Sequence, residues 1–562
     1  MTAIATPMWF GPAEERLFGW LHAPSTARVT GAVVLCPPLG YEYICAYHAY
    51  RVLAASLVAA GFCVLRFDYH GTGDSTGTDA LPDRVGAWRR SIAVARAELA
   101  SRTDAPISAV GMRAGALLAA AAATDGPFDR LVLWDPAPSG RAFIKELQLL
   151  RMVGMGVPDE PRTDGSFESA GIDYTAETVE ALKGLDMAKL SGPIADAALV
   201  LTREGRELSA RLSAVLAAGC RQIDVAPAIG QEELIGVVSA HSQVPTTTVE
   251  VIAKWLAAHA GDEQYEVRTD TTTTAVVGHA PDGTAIIEST RWMGEHGLFA
   301  ITTEPEGGGT GTWVIGLNNS TDHHIGPIRL WVDLARDLAA RGRRFARMDL
   351  SGIGDSGLHP GQKEHVAYAS EHLEDVTVAA AALAPDDPHD VDLVGLCSGA
   401  YLGVDAGALY GVRAVYGVNP VLAFKPEDLL NLEGVATRVA KPPRWWMRPF
   451  SGSAFTKKVG AVLPTWAWEA LDRLRLHDSP ARGLRAMVDR GVDTVLIYGD
   501  DDALTVLRHR ARRDLELLER SPHFRLMSIA GMDHALMLTK QREQLHRELI
   551  DLMSPTAPEA GS

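Results

Sequence analysis

Residues 338–356 read LAARGRRFARMDLSGIGDS, and residues 57–75 read LVAAGFCVLRFDYHGTGDS. Asp349, Gly352, Gly354, Asp355 and Ser356 fall on Asp68, Gly71, Gly73, Asp74 and Ser75 with no change of spacing. Two more blocks follow in the same order. VGMRAG (110–115) falls on VGLCSG (394–399), and RLVLWDP (130–136) is echoed by RAVYGVNP (413–420). Three blocks at nearly constant separation mark two copies of one fold, with a period far too long for a solenoid.

Around these blocks, short apolar runs alternate with helical stretches, the pattern of a mostly parallel sheet covered by helices on both faces. Copy one gives the strand GAVVLCPP, the helix YRVLAASLVAAG and the strand FCVLRFD; copy two gives TWVIGLNN, IRLWVDLARDLAARG and RFARMDL. A last helix closes each copy, with Val249, Ile252 and Leu256 on one face in the first and Leu545, Leu549 and Leu552 in the second. The expected division is 1–261 and 262–556, with 557–562 a disordered tail. EPEGGGTGT (304–312) reads as a loop before the first buried parallel strand of copy two. Each copy also carries a long insertion, at about 137–194 and 421–490, expected to cap the site.

Composition narrows the function. The 562 residues are 47% hydrophobic and 22% charged, as in a folded globular chain. Lys and Arg number 53 and Asp and Glu 70, a formal net charge of −17 that suits neither nucleic-acid phosphates nor anionic lipid. No apolar run reaches the roughly 18 residues of a membrane span, and the first residues, MTAIATPMWF, lack the basic and apolar regions of a secretory signal. The five cysteines are sparse and odd in number, which predicts a reducing cytoplasm rather than a disulfide framework. Without CxxC or HExxH, neither a metal site nor a cofactor is expected.

The chemistry centres on Gly395-Leu396-Cys397-Ser398-Gly399, between the strand VDLVG and the helix SGAYLGVDAGALYG. Glycine, any residue, nucleophile, any residue, glycine at a strand-to-helix junction is the nucleophile elbow. In this frame the nucleophile is Cys397; centring the run on Ser398 would require Gly at 396 and 400, which are Leu and Ala. The same five residues would also suit a small buried thiol in a tight turn. Chain order decides between the two: VLIY (495–498) ends at Gly499-Asp500-Asp501-Asp502, and FRLMSIAG ends at Met532-Asp533-His534. Nucleophile, acid and histidine in that order, each after a strand, put all three at the C-terminal sheet edge.

On MDLSGIGDS, VGLCSG, IYGDDD and GMDHAL, copy two resembles an α/β-hydrolase of the serine-aminopeptidase-like branch. It departs from most members in having Cys for Ser. The resemblance implies Cys397 as nucleophile, His534 as general base and then acid, and Asp502 as the residue that holds the imidazole, with Asp500 and Asp501 as alternatives. It implies oxyanion donors at the Ser398 N–H and at a main-chain N–H of LNNS, Asn319 first and Asn318 next. His323 and His324, in the same loop, are expected to be solvated. Trp445, Trp446, Trp466 and Trp468 in the second insertion are expected to line an apolar acyl pocket.

Copy one aligns as a degenerate α/β-hydrolase. Arg113 stands at the nucleophile position, Arg206 at the acid and Glu233 at the histidine, and Arg113 with Glu233 is a candidate ion pair. A guanidinium, with a pKa above ~12, cannot be a nucleophile at neutral pH. Arg113 could instead hold an anion such as a phosphate on a carrier-bound donor. A Cys–His–Asp site makes an acyl thioester. This favours a thioesterase or acyltransferase acting on thioester-linked acyl groups, with ester or lactone hydrolysis and a non-catalytic binding protein as the alternatives. Sequence leaves the acyl group, the acceptor and the oligomeric state open.

Overall fold

The computed structural model describes residues 3–152, 162–236, 238–420, 480–500, 515 and 518–554. The first half is an eight-stranded sheet. Its strands are β1 (Ala3–Phe10), β2 (Leu17–Pro24), β4 (Gly31–Cys36), β5 (Phe62–Phe67), β6 (Ile107–Met112), β7 (Phe128–Trp134), β10 (Ala195–Thr202) and β11 (Cys220–Pro227). Three short strands lie outside it: β3 (Arg28–Val29), β8 (Phe167–Ser169) and β9 (Ile172–Tyr174). The order is β1-β2-β5-β4-β6-β7-β10-β11; β2 runs antiparallel to both of its neighbours and every later pairing is parallel.

The second half repeats this plan with one added edge strand. After β12 (Tyr265–Glu266) come β13 (Thr274–His279), β14 (Ala285–Met293), β15 (Leu298–Pro305), β16 (Trp313–Gly316) and β17 (Arg344–Met348). They are followed by β18 (Val391–Leu396), β19 (Ala414–Val418), β20 (Asp493–Gly499) and β21 (Phe524–Ile529). The order is β13-β14-β15-β17-β16-β18-β19-β20-β21. The central strands are mostly apolar because both faces are covered: β4 and β18 are buried at every residue, Asp392 of β18 included. In copy one, the helices Tyr41–Ala59 and Thr246–His259 pack Leu53, Leu57, Val249 and Ile252 on one face. Arg84–Arg102 and Ala114–Ala123 pack Trp88, Ile92 and Leu117 on the other. The molecule is thus two tandem α/β domains. Tyr265 and Glu266, just past the expected division at 261, pair with Val29 and Arg28 of the first half, and the second sheet begins at Thr274.

The insertion of copy one folds as the helix Gly140–Met152, the β8–β9 hairpin and the helix Ala176–Gly184. Most of the second insertion, with Trp445, Trp446, Trp466 and Trp468, lies outside the described residues, as does the tail.

The repeated motif does the same local work in both copies. Ser75 Oγ accepts the Phe18 N–H (2.9 Å) and donates to the Asp68 carbonyl (2.7 Å); Ser356 does the same with Phe299 (2.8 Å) and Asp349 (2.6 Å). Gly73 and Gly354 turn with positive φ, directly against the Asp68 and Asp349 carboxylates, where any Cβ would collide.

The motifs also bind the two copies together. Arg66 of copy one pairs with Asp355 of copy two, and Arg347, at the equivalent position, pairs with Asp74 (3.0 Å). His323 and His324, expected in a solvated loop, are 1% and 0% exposed at this junction, because the second half folds against the first and covers their loop. His324 lies between two carboxylates, with Nδ1 2.8 Å from Asp349 and Nε2 2.9 Å from Asp74. Carboxylates only accept, so both ring nitrogens must carry protons. Burial opposes this charge, but Asp349 and Asp74 outweigh it and push the His324 pKa up to about 10. Arg347 and Arg336 also hold Glu288 (2.8 and 3.0 Å), and Arg329 donates to the carbonyls of Gly73 and Ser75. Beside the charges, Trp9, Phe18 and Trp20 pack on Ala275, Phe299 and Ile301.

Candidate active site

β18 ends at Leu396 and a helix runs from Ser398 to Leu409, so Cys397 alone turns the corner. Its backbone sits at φ 53, ψ −109, a region that costs a non-glycine residue on the order of 1–3 kcal/mol. Arg113 has nearly the same geometry, φ 55, ψ −119. The N–H of each donates to the strand beside it, Cys397 to the Val418 carbonyl and Arg113 to that of Trp134, both at 2.9 Å. The elbow is therefore a property of the fold, kept in both copies with different side chains. Gly399 comes so close to the Asn318 carbonyl (2.5 Å for an added Cβ) that no side chain fits.

Cys397 is partly exposed, and the Tyr368 hydroxyl stands 3.9 Å from its Sγ. Burial, then the neighbouring thiol, raises the Tyr368 pKa, so the phenol stays protonated and can donate. Tyr368 lies in an irregular stretch without a sequence motif, and nothing in the sequence marked it.

The loop of the expected oxyanion donors has a defined internal structure. Asn318 is buried: its Nδ2 donates to Asp349 (3.0 Å) and to the Asp322 carbonyl (2.9 Å), and its Oδ1 accepts the Leu350 N–H (2.7 Å). It ties the loop to the repeated motif. The Asn319 carboxamide donates to Asp322 (3.3 Å). The main-chain group directed at the elbow is the N–H of Ser320, which donates to Ser398 Oγ at 2.7 Å. The Ser398 side chain, expected to act only through its backbone, thus engages this loop.

β20 delivers the acidic run. Asp500 Oδ2 accepts the Gly531 N–H at 2.7 Å, tying the end of β20 to the loop that carries His534. Asp501 and Asp502 lie outside the described residues. Asn419, also at positive φ, links the same elements: Oδ1 accepts the Gly499 N–H (2.9 Å), and Nδ2 reaches the carbonyls of Asp533 (3.4 Å) and His534 (3.3 Å). Met532 and Leu536, two residues on either side of His534, belong to the cluster against which Cys397 packs. The elbow and the exposed His534 turn therefore share one end of the sheet.

The equivalent position in copy one has different contents. Arg113 is 2% exposed and surrounded by carboxylates: Nε meets Glu42 at 3.0 Å, Nη1 meets Asp135 at 3.4 Å and Nη2 meets Glu146. The expected pairing with Glu233 does not form; Glu233 is exposed, as is Arg206. Glu42 begins the helix after β4 and Glu146 comes from the cap, positions invisible to an alignment of triads. Burial works against the Arg113 charge, but Glu42, Asp135 and Glu146 outweigh it and raise its pKa. With three carboxylates in place, Arg113 is no receptor for a phosphate.

Residues 307–548 match the alpha/beta hydrolase family. No curated protein matches the chain. Among solved structures, the thioesterase domain from the curacin biosynthetic pathway is 17% identical, covers 47% of this chain and 99% of its own, and superposes with a TM-score of 0.29. An esterase of Pyrococcus furiosus is 13% identical over 48% of this chain and 92% of its own, with a TM-score of 0.32. Among the described residues, no group of His, Cys, Asp and Glu could hold a metal ion and no helix is long and apolar enough to cross a membrane.

Proposed function

We propose that the second half is a thiol-dependent acyl-transfer enzyme, a thioesterase or acyltransferase acting on thioester-linked acyl groups, and that the first half is its non-catalytic partner. The observation that carries this reading is Cys397 itself: a partly exposed thiol at a strained elbow of a hydrolase-type sheet, with a phenol 3.9 Å away. In the proposed cycle His534, oriented by Asp502, takes the thiol proton as Sγ attacks the acyl carbonyl. The Ser398 N–H and the main-chain N–H of Asn319 receive the oxyanion. His534 then returns the proton to the leaving thiolate, and Cys397 keeps the acyl group as a thioester. Replacing one thioester by another costs little free energy, which favours such donors over peptides. Release to water or to another acceptor regenerates the thiol. An oxyanion donor of this kind is worth about 3–4 kcal/mol of barrier.

Intact-mass analysis after incubation with a panel of acyl thioesters and activated esters tests the proposal. The expected result is one added acyl mass, located on Cys397 by peptide mapping and absent from Cys397→Ala. No adduct with any donor, or an adduct that persists in Cys397→Ala, would overturn it.

A further inference from the structure

A cavity lies between the two halves. Copy one supplies Ile44 and Arg84, and copy two supplies Ile325, Ile328, Arg329 and Arg542. Neither Cys397 nor His534 lines it. We propose that this cavity binds an amphipathic anion, a carboxylate or phosphate head on an apolar body.

Arg84 carries the inference. It is 5% exposed, yet its Nε has no hydrogen-bond partner among the described residues. Its Nη1 donates to the Asp173 carbonyl at 2.7 Å, and its guanidinium lies over Trp88 (5.0 Å) and Tyr174 (5.8 Å). A guanidinium so placed is packed but under-neutralised, and burial holds its pKa below the ordinary arginine value. Arg329, paired with Asp333 at 2.8 Å, and Arg542 line the same cavity, together with Asp79. A monoanionic head would meet the unpartnered Nε of Arg84 through the planar donor fork of the guanidinium.

The backbone gives an independent sign. Ile328 and Arg329 are consecutive non-glycine residues at φ 47 and φ 70, and Ile is β-branched, the type least suited to that region. Strain of this kind persists where the surroundings hold it and clusters at ligand sites. Arg329 is also the N-cap of the helix Leu330–Ala339, so the positive end of that helix borders the cavity. Ile44, Ile325 and Ile328 provide the apolar wall for the body of the ligand. A neutral ligand of the same shape would leave Arg84 uncompensated.

The test is isothermal titration of the full chain, carrying Cys397→Ala so that no acylation intervenes, with octanoate, octyl phosphate and octanol. At least one of the two anions should bind, and which one does identifies the head group; octanol should bind at least tenfold more weakly. Arg84→Gln should weaken the anion at least tenfold, and Arg542→Gln provides the same test should Arg84→Gln not fold. Equal binding of octanol, no binding of either anion at millimolar concentration, or affinity unchanged in the folded arginine variants would each overturn the proposal.

Discussion

His324→Gln removes the imidazolium that donates to both Asp74 and Asp349 across the junction of the two halves. The size of the effect follows from the pKa. His324 titrates at 6.5 in the unfolded chain and is pushed up to about 10 in the fold, where burial is outweighed by Asp349 and Asp74. A raised folded-state pKa stabilises fully below the unfolded value, and the gain is lost as pH rises through the folded value. Within that window the slope is about 1.36 kcal/mol per pH unit. Going from about pH 7 to about pH 8.5 should therefore cost the wild type about 2 kcal/mol. At this junction Arg347 and Arg329 stay charged and His323, depressed chiefly by burial, stays neutral; Asp68, raised to about 7 by burial and then by Asp74, titrates at the lower edge of the interval in wild type and variant alike. Asp74 is held below the usual carboxylate range; burial pushes it up, but His324 and Arg347 outweigh burial. Buried thiols such as Cys36 and Cys63, which burial raises, contribute equally to wild type and variant. Denaturant unfolding followed by tryptophan fluorescence should show His324→Gln less stable at about pH 7 and its pH dependence flatter by about 2 kcal/mol. Parallel pH profiles for the two proteins would refute the reasoning.

Arg113→Ala should destabilise by about 3–5 kcal/mol, because Glu42, Asp135 and Glu146 lose their shared cation in a buried setting; an unchanged thermal midpoint would contradict this. Cys397→Ala should abolish turnover, whereas Ser398→Ala should retain it to within ~10-fold, since loss of Oγ frees the Ser320 N–H for the oxyanion. A steady-state assay in which Ser398→Ala is the dead variant would move the nucleophile. His534→Ala should lose at least ~10²-fold, and near-normal rates would remove it from the mechanism. A fragment from Thr274 onward should aggregate on size-exclusion chromatography, because it bares Phe299 and Ile301 and leaves Arg347 and His324 without Asp74; a soluble, monomeric fragment would show that the halves fold independently.

Much of the architecture was legible in the sequence because it rests on local rules. The central strands are short, mostly apolar runs, and the elbow announces itself through Gly395 and Gly399, which only close backbone contacts require. The parts that escaped depend on distant residues. His323 and His324 look like loop polars until Asp74, 250 residues away, is placed beside His324. The partners of Arg113 were missed because Glu42 and Glu146 occupy no triad position. Tyr368 and Asn419 act through position alone, one above the thiol and the other between two strand ends, and neither belongs to a motif that spacing could reveal.

The exchange of Arg66 to Asp355 and Arg347 to Asp74 has an evolutionary consequence. Arg66 is neutralised by the other copy's Asp355, and Arg347 is shared between Glu288 of its own copy and Asp74 of the other. A change to either loop is felt by both halves, which ties the GxGDS run of each copy to the arginine of the other. Separate inheritance of the two would strand opposite charges in each, which is a reason for them to travel as a single gene.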